Sequence, residues 1–130
     1  MRTITTHHDG HGLNESIVIE ADAQDPKAGG ASHEYVFRFD GPRGENGRGV
    51  VTVGRIQFQH GPRHEPGSKP GIVEAALLAV LIDRLSSFQA GPFHCEENAE
   101  ALGHLEAALA LVKKRADARA ARQVLGKNLR

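Results

Sequence analysis

At 130 residues, the chain is long enough for one domain, or for a small sheet and a helical hairpin sharing one core; folding at this size hides roughly two thirds of the unfolded surface. Lysine plus arginine number 16 and aspartate plus glutamate 16, a balance that argues against a general nucleic-acid binder. The single cysteine, Cys95, excludes an intrachain disulfide and a thiolate metal cluster, so a reducing compartment is the simplest expectation. The longest apolar run, from Ala75 to Ile82, is too short to cross a bilayer, and the polar start Met1-Arg2-Thr3-Ile4 does not look like a signal peptide. A soluble cytoplasmic protein without a membrane partner is expected.

Residues 1 to about 65 read as strands and turns. Ser16 to Ala21 carries the β-branched run Ile17-Val18-Ile19, and Glu34 to Phe39 alternates Tyr35, Phe37 and Phe39 against Glu34, Val36 and Arg38. Period two of this kind predicts a half-buried antiparallel sheet. Pro26, Gly29 and Gly30 supply turn chemistry between those strands, and Asp40-Gly41-Pro42 with Gly44, Asn46, Gly47 and Gly49 supplies a longer loop. Val50 to Gln59 predicts a further strand with a bulge at Gly54. The similar endings Arg38-Phe39-Asp40-Gly41-Pro42-Arg43 and Gln57-Phe58-Gln59-His60-Gly61-Pro62-Arg63 suggest two strands leaving the sheet through similar turns. Pro66, Gly67, Pro70 and Gly71 then read as a short rigid connector.

The first helix is expected from about Ile72 to Gln89. Its centre is apolar on every face, so it must be covered all round, and one hairpin with a small sheet has little material for that. Another subunit is therefore expected on one side. The second helix, from about Glu96 to Val124, carries Leu102, Leu105, Leu109, Val112 and Ala116 at alternating steps of three and four, the seam of a coiled-coil-like pair. Between the helices, Gly91 is placed to take the left-handed conformation that closes a helix, and Pro92 cannot extend it. The fold class is thus α+β, with an antiparallel sheet over 1–65 and a helical hairpin over 66–130 forming one compact unit, assembled as a dimer or higher oligomer.

Chemistry concentrates in the helical half. From Lys113 to Arg130 the chain holds Lys113, Lys114, Arg115, Arg119, Arg122, Lys127 and Arg130 against Asp117 alone. Part of this suits the C-terminal end of any helix, as Glu96 and Glu97 suit its start. Arg115, Arg119 and Arg122 line a stripe beside the apolar seam that also carries Asn98. Their stems can pack on the hairpin with heads in water, or their forks can grip a phosphate bidentately. Phe88 can be the last core residue of its helix, or a ring that stacks on a nucleobase. Asn98 can bond locally to backbone, or read a base edge.

Other groups are set aside. His7-His8-Asp9-Gly10-His11 sits in a glycine-bearing terminal segment without a second ligand cluster, so no metal is assigned there or elsewhere, and no cofactor. His94-Cys95 is a poor nucleophile pair, since adjacent residues rarely face each other and Glu96 and Glu97 oppose a thiolate. There is no Walker or dinucleotide glycine loop, no paired metal-binding His motif and no nucleophile elbow, so an enzyme is not expected.

From Arg55 to Arg122 the stretches Ile56-Gln57-Phe58-Gln59-His60-Gly61-Pro62, Glu74 through Leu85, Phe88-Gln89-Ala90-Gly91-Pro92-Phe93, Glu97-Asn98-Ala99 and Leu105-Glu106 resemble phage proteins of the Thoeris anti-defence sponge family. The hairpin is also similar to that of the anti-CBASS cyclic-nucleotide sponges, and Gly29-Gly30-Ala31-Ser32-His33-Glu34-Tyr35 looks like an upstream family strand. The resemblance covers roughly residues 16–124. It implies binding without chemistry, in which a cyclic ADP-ribose-type signal made by a host immune enzyme is sequestered by a homo-oligomer, a dimer or a hexamer. Carried across by position, it implies Phe88 stacking on the base, Asn98 bonding to it, Arg115 and Arg119 holding the phosphates, and Arg63 as a further contact. The sequence departs from the family pattern in the connector Glu65-Pro66-Gly67-Ser68-Lys69-Pro70-Gly71 and at Glu96, where relatives often carry arginine.

Spacing adds an independent expectation. Asn98 and Arg115 are 17 positions apart, about 25 Å along one helix and longer than a cyclised dinucleotide. If both touch one ligand, the pocket lies between antiparallel helices of two subunits, and a twofold dimer holds two such pockets. Two charged contacts at roughly 1.5–3 kcal/mol each and one stack fall short of the ~12 kcal/mol of nanomolar binding. Loops of the sheet part, including Gly61 to His64, are therefore expected to close over the ligand. A nucleic-acid-binding regulator using the basic C-terminal helix is the alternative, and a nucleotide hydrolase a third reading.

Overall fold

The computed structural model describes residues 1–43, 49–61 and 66–122, with the backbone alone at 40–43 and 49–52. The chain divides into two units, Met1–Gly71 and Ile72–Arg130.

The first unit is a four-stranded antiparallel sheet in sequential order, β1 (Arg2–Ile4), β2 (Val18–Ala21), β3 (Glu34–Arg43) and β4 (Gly49–Gln57). Alternation in the sequence sets its two faces, because successive side chains of a strand point to opposite sides. Ile19, Phe37 and Gly54 lie in register across β2, β3 and β4, as do Ala21, Tyr35 and Ile56. Tyr35 also meets Phe58 edge-on, with ring centroids 5.6 Å apart. On the opposite face Arg38 pairs with Glu20, and Arg55 Nε lies 2.8 Å from Glu34 Oε1. Both arginine side chains are largely exposed, so these diagonal ion pairs contribute at most about 1 kcal/mol each. The apolar face carries a cavity of about 580 Å³ lined by His7, Ile17, Ile19, Phe37, Phe39 and Ile56.

Three details differ from the sequence expectations. Asp40-Gly41-Pro42 does not leave the sheet as a loop but continues β3 to Arg43. Three steps along β3, from Asp40 to Arg43, face two along β4, from Val51 to Gly49, so the bulge lies here. That placement suits Pro42, which has no N–H to donate to a ladder. Gly54, expected to bulge, pairs in register with Phe37, and a Cβ there would sit 3.9 Å from Phe37 Cβ, an ordinary contact. The short strand β1 was not anticipated. It pairs Arg2 with Ala21 and Ile4 with Ile19, and the Arg2 guanidinium donates to Ser32 Oγ at 3.1 Å.

The second unit is a hairpin of α1 (Glu74–Gln89) and α2 (Glu96–Ala121). Leu78, Ile82, Leu85 and Gln89 of α1 are half-buried, as are Leu102, Leu105, Leu109, Val112 and Ala116 of α2, which is the expected seam. Two helices cannot cover an all-round apolar helix. Val80 is 63% exposed, Leu81 47% and Leu111 65%, and none of the described side chains of either helix is buried. The α2 start agrees with the sequence expectation, and α1 begins two residues later than expected. The expected end of α2 at Val124 lies outside the described residues; Arg122 is its last described cap. No described helix is long and apolar enough to cross a membrane.

Candidate functional site

The hairpin has a closed end and an open end, and the sequence-predicted site residues divide between them. At the closed end, α1 stops without a left-handed residue. Gly91 does not have positive φ, and Ala90 caps the helix in the right-handed region at φ −79° and ψ −11°. The Gln89 side chain closes the turn instead, its Nε2 donating to Cys95 O at 3.1 Å and its Oε1 accepting from Cys95 N at 3.0 Å. Cys95 is the N-cap of α2, and its thiol sulfur accepts from the Asn98 N–H at 3.4 Å, with Glu96 and Glu97 in the first turn. The cysteine is thus occupied as a capping group, where serine or aspartate is commoner.

Phe88 and Asn98 flank this clamp, both half-buried. Asn98 is bonded locally through its main-chain N–H, but among the described residues its carboxamide makes no hydrogen bond. One face of the Phe88 ring is occupied by the Arg84 guanidinium, whose central carbon lies 5.0 Å from the ring centroid. Sequence reasoning passed over Arg84, although its spacing of four residues before Phe88 on a helix is the signal that puts the two side chains on one face.

At the open end, a cavity of about 590 Å³ is lined by Val73, Glu74, Ala75, Lys113, Arg115 and Arg119, among others. Arg119 is half-buried beside the seam, and Arg115 and Arg122 are exposed. The α1 N-terminus adds a second source of positive potential, because Val73 provides no side-chain cap, although the Ala76 N–H turns back to Val73 O at 3.0 Å. Glu74 places one carboxylate on the same rim. Two guanidinium forks at an uncapped helix start form a surface suited to a phosphate or pyrophosphate.

The structure therefore brings Arg115 and Arg119 to one cavity, sets Phe88 and Asn98 at the closed end of the hairpin, and does not bring the two pairs to each other within one chain. Because α2 runs without interruption from Glu96 to Ala121, the separation of about 25 Å between Asn98 and Arg115 holds. Arg63 lies outside the described residues, with the rest of 62–65.

Residues 51–116 match the family model described as Acb2/Tad1, hairpin domain. The chain belongs to the Acb2/Tad1 hairpin-domain family. Over 90 residues it is 38% identical to "Thoeris anti-defense 1" of Bacillus phage SBSphiJ7, an alignment that takes in 65% of this chain and 63% of that protein. The chain thus spans somewhat less than two thirds of that relative. The family match contains both ends of the hairpin except for Arg119, which lies three residues beyond it, and it starts within β4. In this Acb2/Tad1 hairpin, then, the aromatic corner and Arg115 fall inside the shared segment, and the half-buried Arg119 extends the same helix face past it.

Proposed function

We propose that this protein is a phage anti-defence protein that captures a cyclic ADP-ribose-type immune signal and holds it without degrading it, so that Thoeris immunity is not triggered. Family membership and the similarity to "Thoeris anti-defense 1" support the anti-defence role. The observation that carries the binding mode is the cavity where Arg115 and Arg119 meet the uncapped start of α1. Its chemistry suits a pyrophosphate, and it lies at the opposite end of the hairpin from the ring and carboxamide that suit a base.

A nucleotide that uses both ends is held by two chains. The corner of one protomer faces the basic end of its partner, with the base stacked on Phe88, Asn98 reading the base edge, and Arg115 and Arg119 on the phosphates. The exposed Val80, Leu81 and Leu111 supply the apolar surface for that assembly. Arg63 joins the phosphate contacts in this proposal. The protein acts in the host cytoplasm, where the signal is made.

Incubation with candidate cyclic ADP-ribose isomers, filtration, heat denaturation and mass analysis of what is released tests this reading. Recovery of the intact nucleotide is expected. Release of a hydrolysed product would make the protein an enzyme, and failure to retain any cyclic nucleotide beside salt-dependent retention of nucleic acid would favour the regulator.

A further inference from the structure

Outside the hairpin, a polar cluster of the sheet unit joins Asp25, His33 and His60. Their ligand-type atoms all lie within 4.8 Å of one another. His33 Nε2 and His60 Nε2 each stand 3.2 Å from the same oxygen, Asp25 Oδ2. The two imidazoles are stacked, with centroids 3.9 Å apart and planes 13° from parallel, so the rings turn out of this stack to aim both lone pairs at one ion. A tetrahedral ion with bonds of about 2.0–2.1 Å sets neighbouring ligand atoms roughly 3.3–3.4 Å apart. Both nitrogen-to-oxygen separations are close to that edge, and the two imidazole nitrogens, within 4.8 Å of each other, reach it as the rings turn.

The backbones that carry these side chains are held in place before any ion arrives. Asp25 donates its N–H to Ala31 O at 2.9 Å and accepts from Gly30 N at 2.8 Å, a tight return that needs the left-handed φ of Gly29 (72°) and Gly30 (90°). Its Oδ1 accepts from Lys27 N at 3.0 Å, which leaves Oδ2 for the imidazoles. His33 donates its N–H to Asp22 Oδ1 at 2.9 Å and accepts from Phe58 N at 2.7 Å. His60 exchanges two main-chain hydrogen bonds with Lys69, at 2.9 and 2.8 Å. Each of the three residues is thus fixed through its own backbone, which leaves ring rotation as the movement the ion requires. The His33 side chain is 9% exposed, that of Asp25 20% and that of His60 40%, so the cluster is sheltered on one side and reachable from the other.

We propose that Asp25 Oδ2, His33 Nε2 and His60 Nε2 bind one divalent transition-metal ion of the zinc class, with water in the remaining corner. Imidazole with carboxylate suits zinc and its neighbours rather than magnesium or calcium. The ion ties the turn before β3 to the segment after β4, immediately before Gly61. This site is independent of the nucleotide reading and uses none of its residues.

Cobalt(II) is the probe, since a tetrahedral cobalt site shows intense visible bands that hexaaquo cobalt lacks. The full chain is expected to take up one cobalt per protomer with those bands, zinc to bleach them, and zinc to raise the Tm. Asp25→Asn and His60→Ala, both at partly exposed side chains, should weaken uptake at least about tenfold, because even loss of a group behind a ligand costs 10–100-fold. Circular dichroism confirms that each variant is folded, and should His60→Ala not fold, Asp25→Asn alone decides. Replacing His7, His8 and His11 together by alanine should leave the bands intact. Absence of tetrahedral bands, unchanged uptake in folded Asp25→Asn, or loss of the bands in the triple variant would overturn the proposal.

Discussion

The sheet unit hides Ala21, Ser32 and His33 and fixes its loops by main-chain hydrogen bonds between distant segments, whereas among its described residues the hairpin hides none and keeps its shape through local contacts and one seam. A sheet of four strands can gather a protected corner from several loops. Two helices give each other only one neighbour, and Val80, Leu81 and Leu111 stay open. The proposed assembly would cover these faces with a second chain and set the two ends of one hairpin against those of its partner. Its incompleteness, on this account, is what lets it build a binding site.

The sharpest way to break that contrast is to place a charge on the open helix faces. Val80→Asp with Leu111→Asp should convert the assembled protein to monomers in light scattering, since an uncompensated buried charge costs about 3–5 kcal/mol, and nucleotide retention should vanish with assembly. Equal charges on the exposed face of the sheet should change neither. Arg119→Ala should weaken nucleotide binding roughly tenfold to 150-fold in calorimetry, the equivalent of about 1.5–3 kcal/mol for a charged hydrogen-bonded contact, with assembly unchanged. Gln89→Ala removes two hydrogen bonds across the corner and should lower stability by about 1–3 kcal/mol in urea unfolding. Arg55→Ala, which breaks an exposed ion pair on the sheet, should cost no more than about 1 kcal/mol in the same measurement.

How far each unit could be read from sequence follows the same contrast. Tyr35, Phe37 and the leucines of α2 announce their elements because periodicity is a local signal. The strand β1 was hidden, as three residues are too few for alternation to show, and it exists only because Ala21 and Ile19 offer it an edge. Gly41 and Pro42 carry ordinary loop chemistry, yet a bulge absorbs them within β3. At the corner, Gly91 offers a left-handed cap that Gln89 makes unnecessary by clamping Cys95. The arginine ladder and its distance from Asn98 were legible, since helix rise converts spacing into length. The juxtaposition of Asp25, His33 and His60 was not, because it depends on where two turns and a strand end meet rather than on any spacing along the chain.

Complementation between two defective chains tests the shared pocket most directly. Phe88→Ala/Asn98→Ala and Arg115→Ala/Arg119→Ala chains are each purified alone, and in a separate preparation are co-expressed so that mixed dimers form. Each variant alone should fail to retain a cyclic ADP-ribose-type nucleotide, and mixed dimers should regain one intact pocket each, with near wild-type affinity at that pocket. If the mixture retains no more nucleotide than its parts, or if one of the variants alone binds as the unmodified protein does, the ligand is not gripped between the corner of one protomer and the basic end of another.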